Sequence, residues 1–272
     1  MSEFTHRLDV ELVARNLARS RGQARELVKA GSVLLDGSPA TKPSTPVSAG
    51  QSLELASGTE SWVSRAAYKL VAALEAFGPD GLGAADKRCL DVGAAAGGFT
   101  QVLLAQGARE VVAIDVGHGQ LAEEIANDPR VLERSGVNIR DARVHDLGPP
   151  VQLLVADLSF ISLRLVLPVL RDLVEPTGDL VLLVKPQFEV GRQRLGRRGI
   201  VRSAHYRAMV IEEVVTAASS VGLNAKALCG SPIRGATGNA EYLLWLTPRP
   251  DEGMTTAQVT RLAATLSTEA PT

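Results

Sequence analysis

The sequence predicts an α/β fold: a doubly wound, mostly parallel sheet preceded by a small α+β domain. Three observations predict it. From Lys87 onward, short apolar runs alternate with helical patterns, as in strands joined by crossover helices. The run 180–184 is apolar without a break, as a strand covered on both faces is. The last two runs, 224–230 and 240–247, are too close for a crossover helix and should pair antiparallel, as a hairpin at the sheet edge.

The elements follow in order. Leu8, Leu12 and Leu17 recur at near-helical spacing. Ser20 is a candidate N-cap for a second helix through Ala30, with Gly31 as its stop. Val33 to Leu35 with Asp36-Gly37-Ser38 predicts a strand and tight turn, and 50–55 a closing strand. A core this small is marginal, which suits a binding module better than a catalytic domain. After a linker at 57–63, a helix runs to about Phe77, then a glycine-rich loop from Pro79 to Asp86. Strands are predicted near 88–92, 110–115, 130–134, 151–156, 179–185, 224–230 and 240–247. Helices are predicted near 98–106, 119–127, 162–174 and 203–221. A tail, 251–272, carries a short helix at 254–268. The domains are therefore 1–56, 57–63 as linker, 64–250 and 251–272.

Composition bounds the function. The 272 residues carry a net charge of -1, so the whole molecule does not attract polyanions. Local patches differ. Arg15, Arg19, Arg21, Arg25 and Lys29 face only Glu26 in sequence. Lys185, Arg192, Arg194, Arg197, Arg198, Arg202 and Arg207 face only Glu189. Either patch is a solvated face or a phosphate-binding surface. Cys89 and Cys229 sit in apolar contexts, as buried thiols of a reducing compartment do, and no zinc spacing is present. No signal peptide is visible, and no apolar run approaches the roughly 18 residues of a membrane span. A cytoplasmic, metal-free monomer without membrane partners is expected.

Three segments carry chemistry. Cys89-Leu90-Asp91-Val92-Gly93-Ala94-Ala95-Ala96-Gly97-Gly98-Phe99-Thr100 reads as a strand, a glycine turn and a helix start, where backbone can approach a ligand closely. Gly93 and Gly97 are four apart, so the tight pyrophosphate turn is absent. Asp91 suits a cationic amino-acid end, and Asp115, closing the next strand, suits ribose hydroxyls. S-adenosylmethionine has both. Second, Lys185 ends a buried run and Pro186 follows at once; a lysine there is costly unless paired or working. Third, Lys69, Asp157 and Glu241 also stand at element ends, making two lysines and two carboxylates for one cleft. Methyl transfer to a hydroxyl needs alignment and a proton acceptor, and a lysine accepts only where burial or a nearby cation disfavours its charge.

The chain resembles the TlyA-type rRNA 2′-O-methyltransferases, also called haemolysin A, within the wider FtsJ-like fold. The resemblance rests on Trp62 to Lys69, Asp115 to Leu121, Asp128 to Val131, Val155 to Leu163, Val184 to Gly191 and Gly238 to Trp245. Residues 7–55 look like the S-four-type RNA-binding domain of that family, through Arg7-Leu8-Asp9, Ser20 to Arg25, Gly31 to Val33 and Asp36-Gly37. It implies a Rossmann-like methyltransferase sheet, cytidine targets in ribosomal RNA, and a catalytic tetrad of Lys69, Asp157, Lys185 and Glu241. It further implies S-adenosylmethionine contacts from Asp91, Gly93, Ala94, Gly97, Phe99, Asp115, Val116, Asn138 and Asp157. RNA contacts would come from Arg7, Arg19, Arg21, Arg25, Lys29, Arg65, Arg192, Arg197 and Arg198. The chain departs from the family pattern where Ala95, Ala96 and Gln101 replace two hydroxyl residues and an acid, and where Glu60 replaces a linker arginine. The rival expectations are an RNA-binding protein silenced by that altered loop, and a membrane-active cytolysin.

Overall fold

The computed structural model describes residues 5–15, 17–18, 20–29, 31–56 and 62–269, without the side chains of Glu26 and Arg197. Arg19 and linker residues 57–61, Glu60 among them, lie outside the described residues. The chain divides into two compact units, Met1–Arg65 and Ala66–Thr272.

The first unit runs β1 (Thr5–Arg7), α1 (Leu8–Ala14), α2 (Arg21–Lys29), β2 (Val33–Leu35), β3 (Ser38–Pro39), β4 (Pro46–Ser48) and β5 (Leu53–Leu55). Ser20 caps α2 as the sequence suggests, its Oγ accepting from the Gln23 N–H at 3.2 Å. α1 ends before Leu17, which packs on the core from beyond the helix. Strands β3, β2 and β5 form one antiparallel sheet, and β1 pairs with β4, a ribbon the sequence pattern did not reveal. Leu8, Leu12, Leu27, Val28 and Val33 make the buried centre.

The second unit runs α3 (Ala67–Phe77), β6 (Arg88–Val92), α4 (Gly98–Ala105), β7 (Glu110–Asp115), α5 (Glu123–Ala126), β8 (Val131–Ser135), α6 (Val144–Leu147), β9 (Val151–Ala156), α7 (Leu163–Asp172), β10 (Val174–Val184), α8 (Pro186–Glu189), α9 (Ala204–Ser220), β11 (Asn224–Gly230), β12 (Tyr242–Thr247) and α10 (Thr256–Thr268). Its seven-stranded sheet has the order β11-β12-β10-β9-β6-β7-β8. Only β12 runs against its neighbours, β10 and β11. The final hairpin is antiparallel and lies at the sheet edge as predicted, with β12 next to β10 and β11 outermost. Composition explains the order. All six residues of β12 are buried, including Trp245, whereas Lys226 and Gly230 of β11 are not.

Two expectations shift. The helix near 119–127 contracts to the single turn α5, and β10 begins at Val174, with a register break before Asp179. Apolar faces of α7 and α9 cover the sheet, and Val259 and Ala263 of α10 join the same core. The segment set apart as a tail thus packs into the core of the second unit. Both cysteines are free thiols. No described helix is long and apolar enough to cross a membrane.

Candidate active site

Sheet topology brings four distant residues together. Asp157 follows β9 and Lys185 follows β10, so both stand at the carboxyl edge of the parallel strands. Because β12 runs backwards, its start lies at that same edge, with Tyr242 paired to Val184, and Glu241 arrives beside Lys185. Lys69 comes from α3, whose buried stripe of Ala67, Leu70, Ala73 and Phe77 fixes the helix; Phe77 packs on Trp245 with ring centroids 5.8 Å apart.

The contacts are close. Lys69 Nζ donates to Glu241 Oε2 at 2.8 Å and to Asp157 Oδ2 at 3.3 Å. Lys185 Nζ meets Asp157 Oδ1 at 2.6 Å and donates to Ser159 Oγ at 2.9 Å. Asp157 therefore divides its two oxygens between the lysines. The four side chains balance in charge, and each is at most 14% exposed, which is how a buried cluster of ions becomes tolerable. Gln187 donates to Glu241 Oε1 at 3.2 Å. At Gly235 a Cβ would stand 2.4 Å from that same oxygen, so a side chain there would displace the Glu241 carboxylate.

A cleft of about 430 Å³ opens beside the cluster. Gly93, Asp115, Val116, Asn138 and Asp157, all predicted to hold the cofactor, line it together with Ala95, Ser159 and Phe160. Gly93 has φ +83, and a Cβ there would come within 2.9 Å of the Asp157 carbonyl oxygen, so only glycine lets the two loops meet. Asp115 Oδ2 accepts from the Ala95 N–H at 3.0 Å and Oδ1 from the Gly117 N–H at 2.8 Å. Backbone thus organises this carboxylate where the loop lacks side-chain hydroxyls.

Four other predicted cofactor residues stand behind this wall. Ala94 is buried under the turn, Gly97 caps α4, and Phe99 is buried on that helix. Asp91 has no exposed surface; its Oδ2 accepts from Thr100 Oγ1 at 2.6 Å and its Oδ1 has no partner. Burial pushes its carboxyl up to about 7, against the Thr100 hydrogen bond and with help from Asp157 and Asp115. Among the described residues, no group of His, Cys, Asp and Glu could hold a metal ion.

The basic patches divide. In the first unit, Arg7 Nε donates to Asp9 Oδ1 at 2.9 Å, while Arg21 and Arg25 reach Asp9 Oδ2 at 3.2 and 3.0 Å. In sequence the 15–29 patch has only Glu26 as an acid; in the fold Arg21 and Arg25 of that patch, joined by Arg7, share the fully buried Asp9 as partner. One carboxylate neutralises one charge, so the half-exposed cluster still carries an excess of two. Arg15 is structural, bonded to Glu11 and the Gln51 carbonyl. Lys29 and Arg65 are exposed. In the second unit, Arg192 and Arg198 are exposed, Arg194 lies over the Tyr206 ring, and Arg207 is taken up by the carbonyls of Val201, Arg202 and Ser267. The side chain of Arg197 lies outside the described residues.

Sequence reasoning missed Ser159, Gln187, Glu189 and Phe160. Glu189 is buried and accepts from Ser162 Oγ and the Leu163 N–H, joining the loop after β9 to α8. Its signals were its isolation as the one acid of a basic stretch and its place in the motif Val184 to Gly191. Phe160 has φ +65, costly for a bulky residue, and its ring is 90% exposed at the cleft, 5.1 Å from that of Phe188.

Comparison with known proteins agrees with this architecture. The FtsJ-like methyltransferase family matches residues 62–247 and the S4 domain residues 6–53. The 16S/23S rRNA (cytidine-2′-O)-methyltransferase TlyA of Mycobacterium tuberculosis is 49% identical, over 91% of this chain and 92% of that protein. Hemolysin A of Brachyspira hyodysenteriae is 33% identical, over 87% of this chain and 98% of that protein. A solved structure from Streptococcus thermophilus, with a hemolysin name, superposes with a TM-score of 0.70 at 36% identity and covers 96% of both chains.

Proposed function

The chain belongs to the FtsJ-like methyltransferase family, in its TlyA-type branch, and from that premise we propose that it is an S-adenosylmethionine-dependent ribosomal RNA (cytidine-2′-O)-methyltransferase. The observation that carries this reading is the contact of Lys69, Asp157, Lys185 and Glu241 beside the cleft lined by Gly93, Asp115 and Asn138. The cleft suits the cofactor. Asp115 offers acceptors to ribose hydroxyls, Asn138 offers donor and acceptor to an adenine edge, and Gly93 lets backbone lie close. When bound, S-adenosylmethionine supplies a methyl group on a sulfonium.

The protein groups do the rest. Asp157 holds both lysines by its two oxygens. Lys185 acts as the free amine: once its ammonium proton has left to solvent, its Nζ receives the proton of the ribose 2′-hydroxyl as that oxygen becomes nucleophilic. Lys69, fixed by Glu241, keeps Asp157 in place and balances its charge. Positioning and proton acceptance are the two contributions such a site makes. Arg7, Arg21 and Arg25, with Arg65, Arg192 and Arg198, would contact phosphate, which positions RNA without reading its sequence.

The test is transfer of labelled methyl to ribosomal subunits, with 2′-O-methylcytidine mapped on the RNA. Lys185→Ala should lower turnover about 10²-fold or more. Its affinities for S-adenosylmethionine and for subunits should stay within about twofold, the mark of an interaction made in the transition state. Wild-type protein that binds the cofactor and leaves the RNA unmodified would instead be an RNA-binding protein without catalysis.

A further inference from the structure

We propose that Ser159 is a positioning residue for methyl transfer, fixing the direction in which Lys185 Nζ meets the target hydroxyl; this rests on the reading of Lys185 as proton acceptor. Ser159 stands two residues beyond Asp157, on the loop between β9 and α7, and lines the cleft. It is outside the four-residue cluster, yet its Oγ takes a hydrogen bond from Lys185 Nζ at 2.9 Å.

Asp157 cannot hold Lys185 alone. Its Oδ1 meets Lys185 at 2.6 Å, but its Oδ2 faces Lys69 at 3.3 Å, so Lys185 has a single carboxylate oxygen. An amine on a flexible four-carbon stem can pivot about one such contact. The hydroxyl of Ser159 supplies a second anchor. An sp³ nitrogen has four directions. The lysine's own chain, Asp157 and Ser159 take three, and the fourth is left for the reacting hydroxyl. There the 2′-oxygen bonds to the methyl carbon, sulfur retains the electron pair of the broken carbon–sulfur bond, and the hydroxyl proton passes to Lys185 Nζ.

The framework around this anchor is stiff. α8 starts directly after Lys185 and ends at Glu189. That buried carboxylate accepts from Ser162 Oγ at 2.5 Å and from the Leu163 N–H at 2.6 Å. The segment carrying Ser159 and the segment carrying Lys185 are thus tied a second time, within a few residues of the first tie. The Phe188 ring, 5.9 Å from Lys185 Nζ, sits beside the amine.

The experiment compares Ser159→Ala and Ser159→Thr with wild type and Lys185→Ala, using ribosomal subunits and labelled S-adenosylmethionine. Ser159 is exposed, so both variants should fold and the added methyl of threonine should fit. Ser159→Ala should lower kcat about 10- to 100-fold, as a misplacement near 1 Å does, with both KM values within about twofold. Ser159→Thr, which keeps the hydroxyl, should recover turnover to within about threefold of wild type. A readout independent of turnover is acylation of Lys185 by an amine reagent, followed by mass spectrometry. It should quicken in Ser159→Ala and not in Ser159→Thr. Full or increased turnover in Ser159→Ala, or a rise in KM at constant kcat, would overturn the assignment. So would a folded Ser159→Thr that fails to recover. Wild-type protein without methyl transfer, or a fully active Lys185→Ala, would instead remove the reading of Lys185 beneath it.

Discussion

Asp91 is the residue whose environment most changes its chemistry. It lies under the glycine turn with no exposed surface, one oxygen bonded to Thr100 and the other unpartnered. Burial raises its carboxyl from an ordinary 3.8 to about 7. The folded state therefore binds this proton more tightly than the unfolded chain. The resulting stability is complete below pH 4 and is lost as pH rises through about 7. Asp91→Asn keeps an acceptor for Thr100 and has no charge to bury. Urea midpoints measured from pH 4.5 to 8 should show the variant gaining on wild type as pH climbs, by at most ~1.4 kcal/mol per pH unit. A difference independent of pH would mean that Asp91 stays ionised in the fold.

Helix α2 acts through the residue it faces on α1. Two of its arginines, with Arg7, converge on Asp9, whose carboxyl is held well below the usual range, first by Arg7 and then, against its burial, by Arg25 and Arg21. The carboxylate gathers three guanidiniums on one surface, and their excess charge is the proposed contact for phosphate. Arg21→Gln with Arg25→Gln leaves Arg7 paired with buried Asp9, so the unit should stay folded at a measurable cost in stability. Subunit binding should weaken, and the slope of log affinity against log salt should shrink by about 2. An unchanged slope would make the cluster purely structural. Glutamine is the informative replacement, since an added acid beside buried Asp9 would destabilise the unit itself.

At the scale of the whole molecule, two cores of unequal size share one chain. The first unit buries a handful of aliphatic side chains under strands of two or three residues. The second buries a seven-stranded sheet covered by long helices. Burial of apolar surface grows with domain size, so the smaller unit has less stability per residue. Native-state hydrogen exchange should show amides of 5–55 opening at lower free energy than those of β6, β9, β10 and β12. Equal protection across both units would contradict this. With a net charge of -1, the whole surface does not attract polyanions, so the proposed RNA contacts must be local to the basic patches.

The sequence by itself determined whatever is written in local pattern. The unbroken apolar run 180–184 marked a strand buried on both faces, Ser20 and Gly31 bounded α2, and Lys185 at a strand end announced a site. Motif resemblance picked out Lys69, Asp157 and Glu241, and the structure brings all four together. What pattern could not reach depends on who lies opposite. Asp9 stands 12 and 16 residues from its arginine partners on α2, so the basic patch looked unpaired until α1 and α2 packed together. Ser159 and Glu189 are ordinary polar residues in sequence, and they acquire roles only because β9 and β10 are neighbours in the sheet. The antiparallel placing of β12 between β10 and β11 puts Glu241 at the carboxyl edge, and Asp91 faces Thr100 instead of the cleft because the turn folds over it. Hydrophobic periodicity is a property of one element and can be read along it. Charge pairing and proton affinity are properties of two or more elements, so the tertiary structure alone decided them.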